Sequence, residues 1–225
     1  DFSFEKKQDW GIRFISTLCP NCGWDMIAEK ESCILICTNC NSLWQAYGET
    51  LQRIAFGIIN EKDGKNDMVY LPFWRMKAKI TGVDLQSYAD LVRFANLPKV
   101  IKAGWEEIDI YFWSPAFKVQ PALFLRLAQQ LSISQPDAII DMNLPKMSLY
   151  PITLPVTEAK ESIKITLANI AVKKKDIFPG LKEIKSELTE SLLVFLPFFS
   201  TINDFVQPHL RLSIQKNALR SGKNI

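Results

Sequence analysis

Histidine is almost absent from this 225-residue chain: its one copy, His209, has no serine or cysteine at motif spacing and no glycine-rich loop beside it. Histidine-assisted nucleophilic catalysis therefore lacks its parts, and no enzymatic activity is expected. A G-x-x-x-x-G-K-[ST] phosphate loop is missing too, which removes ATP-driven chemistry of that type. The longest charge-free stretch, Ser191 to Asn203, falls well short of the ~20 apolar residues of a membrane-spanning helix and reads as a buried strand. No basic, apolar, small-residue leader follows Asp1, so a signal peptide is not expected. Charge imbalance is also slight. With 27 Lys plus Arg against 24 Asp plus Glu, the net +3 is too small for a surface dedicated to nucleic acid or membranes. At 48% hydrophobic and 23% charged, the composition excludes disordered, collagen-like and coiled-coil classes and supports a sizeable core.

What the chain does have is five cysteines confined between Cys19 and Cys40. They run as Cys19-Pro-Asn-Cys22, then Cys33, then Cys37-Thr-Asn-Cys40, so that two C-x-x-C pairs face each other across the 14 residues Gly23 to Ile36. Each pair can form a tight turn whose amides point at the sulfurs. Two such turns deliver four thiolates at tetrahedral positions ~2.3 Å from a zinc ion. The gap is slightly below the usual lower bound of about 15, which a shorter connecting hairpin absorbs. Cys19, Cys22, Cys37 and Cys40 are the expected ligands of a structural Zn2+. Gly23 and Asn41, which follow the two pairs, are residue types that accept the positive φ each turn demands.

Trp24 to Ile27 and Cys33 to Cys37 read as short strands joined by the polar turn Ala28 to Ser32. Trp24 and Trp44 are candidate packing residues around the site, and Cys33 reads as a small buried hydrophobe rather than a ligand or reactive thiol. Covalent haem attachment is excluded because neither pair is followed by histidine. A disulfide framework does not suit a chain of this size with no further cysteine. A rubredoxin-like iron redox site shares the four-thiolate geometry and stands as an alternative. Thiolate ligation implies a reducing compartment such as the cytoplasm.

The segment Cys19 to Cys40 resembles the zinc ribbons of transcription factors, RNA polymerase subunits and many unassigned bacterial proteins. That resemblance covers this stretch and its flanking strands. It implies a structural zinc ion and a role in binding nucleic acid or protein. Some bacterial proteins with similar paired knuckles look like relatives of the primosomal helicase, but without the phosphate loop the ATPase role does not carry over.

Beyond the cysteines, the expected fold class is α+β: an N-terminal zinc ribbon, residues 1–60, continuing into a mixed, largely antiparallel sheet with about three helices over 61–225. Strands are expected at Ser42 to Tyr47, Leu51 to Ile59, Met68 to Ile80, Glu107 to Phe117, Met147 to Leu154, Ser191 to Ser200 and Val206 to Gln215. A charged turn, Glu61 to Asp67, separates the second and third. Helices are expected from an Asp84 cap to about Leu97, from Gln120-Pro121 to about Leu131, and from a Thr157 cap over Glu158 to Val172. Leu71-Pro72, Ser114-Pro115, Tyr150-Pro151 with Leu154-Pro155, and Leu196-Pro197 each set a proline inside an apolar run. This echo reads either as an internal duplication of strand-helix units or as prolines at edges and bulges.

The leading functional reading is a non-enzymatic protein-binding or scaffold module. The alternative is a nucleic-acid-binding accessory protein of replication or transcription, using Lys173, Lys174, Lys175, Arg211, Lys216, Arg220 and Lys223 on phosphates. Against it, cations at helix ends and in tails are ordinary solvated features. Trp74, Trp105, Trp113 and Phe117 sit in apolar surroundings and are expected in the core rather than stacked on bases. The carboxylates Glu106, Glu107, Asp109, Asp137 and Asp141 are read as solvated charge.

Overall fold

The computed structural model describes residues 15–59, 67–136, 143–145, 148–172 and 183–221. Strands β1 (Ile34–Cys37), β2 (Ser42–Tyr47) and β3 (Thr50–Ile54) form a three-stranded antiparallel sheet, and β4 (Phe56–Ile58) then passes into a second sheet of seven strands. Its other members are β5 (Met68–Thr81), β6 (Phe112–Pro115), β7 (Ser148–Leu149), β8 (Lys185–Ser200), β9 (Asp204–Gln207) and β10 (Leu212–Gln215). Helices α1 (Tyr88–Phe94), α2 (Pro121–Ser134), α3 (Val156–Ala159), α4 (Ser162–Ile170) and α5 (Lys216–Ser221) accompany them. The fold is α+β. Its large sheet is mixed, because β4 runs parallel to β8 and β7 parallel to β5 while the remaining pairs are antiparallel.

The centre is the long β5–β8 pair, in register from Met68 opposite Phe199 to Thr81 opposite Lys185, with one bulge beside Lys77. Strand alternation sends Tyr70, Trp74, Met76, Leu193 and Phe195 to one face and Val69, Leu71, Phe73, Val194, Leu196 and Phe198 to the other. Both faces are apolar, so both must be covered. Leu127 and Leu131 of α2, with Leu212 and Ile214 of β10, cover the second face. Leu91, Ala159, Ile163 and Leu167 join the first, and so do Ile34 and Leu43 of the small sheet. No helix of the described residues is long and apolar enough to cross a membrane.

Pro72 and Pro197 sit within these central strands and still break no ladder. Pro72 O accepts from the Ala116 amide at 3.0 Å, and Pro197 O accepts from Gln207 Nε2 at 2.9 Å. A residue's nitrogen and carbonyl point to the same side of an antiparallel strand, so both proline nitrogens face away from the β5–β8 ladder. Pro72 falls between the stretches of β5 paired with β7 and β6, and Pro197 between those of β8 paired with β4 and β9. Among the described residues, no neighbouring strand requires an amide at either gap.

Several sequence expectations need correction. Leu51 to Ile59 is two strands, because the largely exposed β3 gives way to the fully buried Phe56–Ile58, and Ala55 O turns to accept from Leu193 N at 3.1 Å. Ser87, not Asp84, caps α1: its hydroxyl accepts from the Asp90 amide while Asp90 Oδ2 accepts from the Ser87 amide, a reciprocal box. The helix expected over Glu158–Val172 is divided into α3 and α4. The chain enters α3 from extended Pro155 rather than a Thr157 cap, and Ser162 Oγ closes that turn by donating to Ala159 O at 2.6 Å. Val206 to Gln215 is a hairpin, broken where Pro208 fixes φ and Arg211 takes φ +53°. The strands at Glu107–Phe117 and Met147–Leu154 shorten to β6 and β7, with Met147 outside the described residues. Among the described residues the helices number five, the additional ones being the short α5 and the segment that the α3–α4 division creates. Most of the Glu61–Asp67 turn also lies outside the described residues.

Candidate metal centre

The first knuckle is built by backbone hydrogen bonds that fold the chain back on itself. Cys19 N donates to Trp24 O and Gly23 N to Cys19 O, both at 2.8 Å, while Leu18 and Asp25 bridge across the turn. Gly23 stands at φ +72° and Asn41 at φ +51°, the left-handed conformations read from sequence. The second knuckle leads straight into β2, whose pairing with β1 sets Cys37 opposite Ser42.

Together the two turns gather four sulfurs. Cys19, Cys22, Cys37 and Cys40 offer Sγ atoms all within 4.8 Å of one another, with Cys19–Cys40 at 3.6 Å and Cys22–Cys37 at 3.5 Å. A tetrahedron with ~2.3 Å metal–sulfur bonds has edges of ~3.8 Å, so these separations fit one ion held by four thiolates. The four cysteines could bind a metal ion, and the set is soft, all-sulfur and consistent with a zinc-ribbon-like knuckle. Cys19 and Cys37 are buried, Cys40 half-buried and Cys22 exposed. Met26 and Trp44 pack beside the sulfurs and Leu35 and Leu51 lie around them, forming a small apolar cluster of the ribbon's own.

The sulfurs differ in electrostatic setting. Burial opposes ionisation of Cys19, yet hydrogen bonds from Ser42 and from the Asn21 and Cys22 amides prevail and hold its thiol down to about 6. Cys40 is also lowered, chiefly by Ser42. Cys37 is pushed up to about 12 by burial. A bound dication must therefore displace at least the Cys37 proton to complete its shell.

Cys33 stands apart from the cluster. Its amide donates to Ile152 O at 2.7 Å and its Sγ donates to the same oxygen at 3.2 Å, tying the ribbon to the segment that follows β7. Burial raises its thiol to about 11. Beside this attachment, Ile27, Ile34, Ile36, Leu149, Tyr150 and Ile152 help line a cleft of about 480 Å3 between the ribbon and residues 144–145 and 148–152.

Trp44 packs at the site as expected, whereas Trp24 does not: the residue is 60% exposed. The Trp24 carbonyl closes the knuckle, and the buried position two residues on is taken by Met26. Trp74, Trp113 and Phe117 are fully buried, and Trp105 packs edge-on against Tyr88. Glu106 pairs with Arg93 and Asp109 with Lys77, each at 2.6 Å. Asp137 and Asp141 lie outside the described residues, as do Lys173, Lys174, Lys175 and Lys223. Among the described cations, Arg211 is exposed in the β9–β10 turn, and Lys216 donates to Thr201 O with its ammonium 5.1 Å from the Phe205 ring. Arg220 lies on α5. His209 is exposed in the same turn as Arg211.

Sequence reasoning missed Ser42, which is fully buried with its Oγ 3.0 Å from Cys40 Sγ and 3.5 Å from Cys19 Sγ. The available signal was strand alternation: counting by two from Cys40 puts Ser42 and Trp44 on the face that carries the sulfurs.

Fold and site together define an α+β protein with a cluster of four cysteines, beside its N-terminal sheet, that could bind a metal ion. Comparison with known families finds no matching family model, and comparisons with curated proteins and with solved structures find no match.

Proposed function

We propose that this chain is a non-enzymatic protein-binding or scaffold module of the cytoplasm whose N-terminal zinc ribbon is fixed by one structural Zn2+ ion. The gathering of four sulfurs within 4.8 Å carries the reading. A four-thiolate shell leaves no position for solvent, so the metal supplies folding energy rather than a reactive water. Charge then favours protein over nucleic acid as the ribbon's partner. Residues 15–59 hold four acids, Asp25, Glu29, Glu31 and Glu49, against two bases, Lys30 and Arg53. Four thiolates around a dication add two more negative charges, which disfavours phosphate. The same ribbon exposes Leu18, Trp24, Ile27 and Tyr47, and aromatic and aliphatic anchors of this kind suit a protein surface.

The test is elemental analysis and native mass spectrometry of freshly purified, reduced protein. One zinc per chain is expected. A metal-free chain, or a coloured iron protein, overturns the reading, the latter in favour of the rubredoxin-like alternative. Binding to a single-stranded oligonucleotide that weakens steeply with salt would instead support the nucleic-acid alternative.

A further inference from the structure

Four ligands do not account for all the polar chemistry at this centre. Ser42 begins β2 immediately after the second knuckle, and alternation along the strand sends Leu43 into the main core while Ser42 and Trp44 face the sulfurs. The Trp44 indole Nε1 donates to Ser42 Oγ at 2.8 Å. An indole nitrogen donates only, so this bond fixes the oxygen as acceptor and aims the single hydroxyl proton elsewhere. The next polar atoms are Cys40 Sγ at 3.0 Å and Cys19 Sγ at 3.5 Å. When a metal ion is bound, both sulfurs are thiolates and accept only, which leaves Ser42 as the donor. Ser42 and Trp44 are both buried, so water has no access to replace either bond.

We propose that Ser42, oriented by the Trp44 indole, is a positioning residue of the metal centre: its hydroxyl hydrogen-bonds the Cys40 and Cys19 thiolates and so sets how tightly the site holds its ion. This rests on the metal-binding reading above and adds to it a donor outside the ligand set. The hydrogen bond draws electron density from the sulfurs and compensates two negative charges in an apolar pocket. Partners of this kind typically change metal affinity by about 10- to 100-fold. The hydroxyl reaches the Cys40 and Cys19 sulfurs, while the Cys22 sulfur lies against that of Cys37 at 3.5 Å.

The experiment compares wild-type chain with Ser42→Ala, Ser42→Thr and Trp44→Phe, each loaded with Co2+ and then titrated with Zn2+ against a chromophoric chelator. Ser42→Ala is expected to weaken zinc by about 10- to 100-fold and to move the sulfur-to-cobalt charge-transfer band to longer wavelength, because an unbonded thiolate gives up its electrons more easily. Ser42→Thr keeps the hydroxyl and should restore both readouts. Trp44→Phe keeps an aromatic side chain but removes the indole N–H and frees the hydroxyl, and should shift both in the direction of Ser42→Ala by a smaller amount. A Ser42→Ala protein with wild-type affinity and an unmoved band overturns the proposal. Should that variant fail to fold, an unmoved band in Trp44→Phe does the same. Failure of the wild-type chain to bind either ion sinks the metal-binding reading itself, a result separate from normal binding that ignores Ser42.

Discussion

Cys33 differs from the other four cysteines in what its sulfur meets. Its thiol donates to the Ile152 carbonyl and is pushed up to about 11 by burial, so at neutral pH it is protonated and poorly nucleophilic. Alkylation of Cys33 at pH 8 should be slow and should quicken as pH approaches its raised value, a trend readable by peptide mass spectrometry. Rapid modification at pH 7 would contradict this assignment. Cys33→Ala should leave one metal per chain at a cost of about 1 kcal/mol in stability, whereas Cys37→Ala should abolish tight metal binding. Cysteine spacing was enough to pick out the four cysteines whose sulfurs gather, because two C-x-x-C pairs have few other uses and Gly23 and Asn41 supply the required φ. Ser42 was not legible in the same way. A serine at the start of a strand has many uses, and only the register of β2 against the knuckle turns it toward sulfur.

At the level of elements, the start of α1 shows how a local device overrides a plausible neighbour. Asp84 is a good capping residue type, but Ser87 and Asp90 satisfy two amides reciprocally and therefore fix the boundary. Burial opposes ionisation of Asp90, while hydrogen bonds from the Gln86 amide and the Ser87 side chain and amide bring its carboxyl below the ordinary range. The folded-state value thus lies below the unfolded ~3.9, so this contribution is present above about pH 4 and is lost as pH falls through the folded value. Ser87→Ala should destabilise the protein by about 1 kcal/mol at pH 7 in a denaturant titration. Asp90→Asn should do likewise at pH 7, and its deficit relative to wild type should shrink below pH 4. A deficit that stays constant from pH 7 to pH 3 would show that the carboxylate charge plays no part. The apolar stretches of the long strands were legible for the same kind of reason, since β5 from Met68 and β8 from Leu192 are buried on both faces, whereas the polar start of β8, Lys185 to Glu190, was not read as strand. A break set by tertiary pairing, such as that at Ala55, carries no comparable signal along the chain.

For the whole molecule, the decisive feature is that the ribbon belongs to two cores at once. Trp44, Met26 and the cysteines form its own small cluster, but Ile34 and Leu43 are fully buried in the cluster of the main sheet, and Cys33 is hydrogen-bonded to Ile152. Metal removal should therefore act unevenly. Segments 17–26 and 37–42, which depend on the sulfurs for their folding, should lose hydrogen-exchange protection and gain protease sensitivity when a chelator strips the ion. The β5–β8 pair should keep its protection, since α2 and β10 cover one of its apolar faces and residues of α1, α3 and α4 join the other. Leu43→Ala tests the other attachment: truncating this buried side chain should cost about 2–5 kcal/mol and lower the stability of the large sheet even with metal bound. If Leu43→Ala loosens only the ribbon, or if verified metal loss leaves residues 15–50 as protected as before, the two cores are not coupled through β1 and β2 in this way.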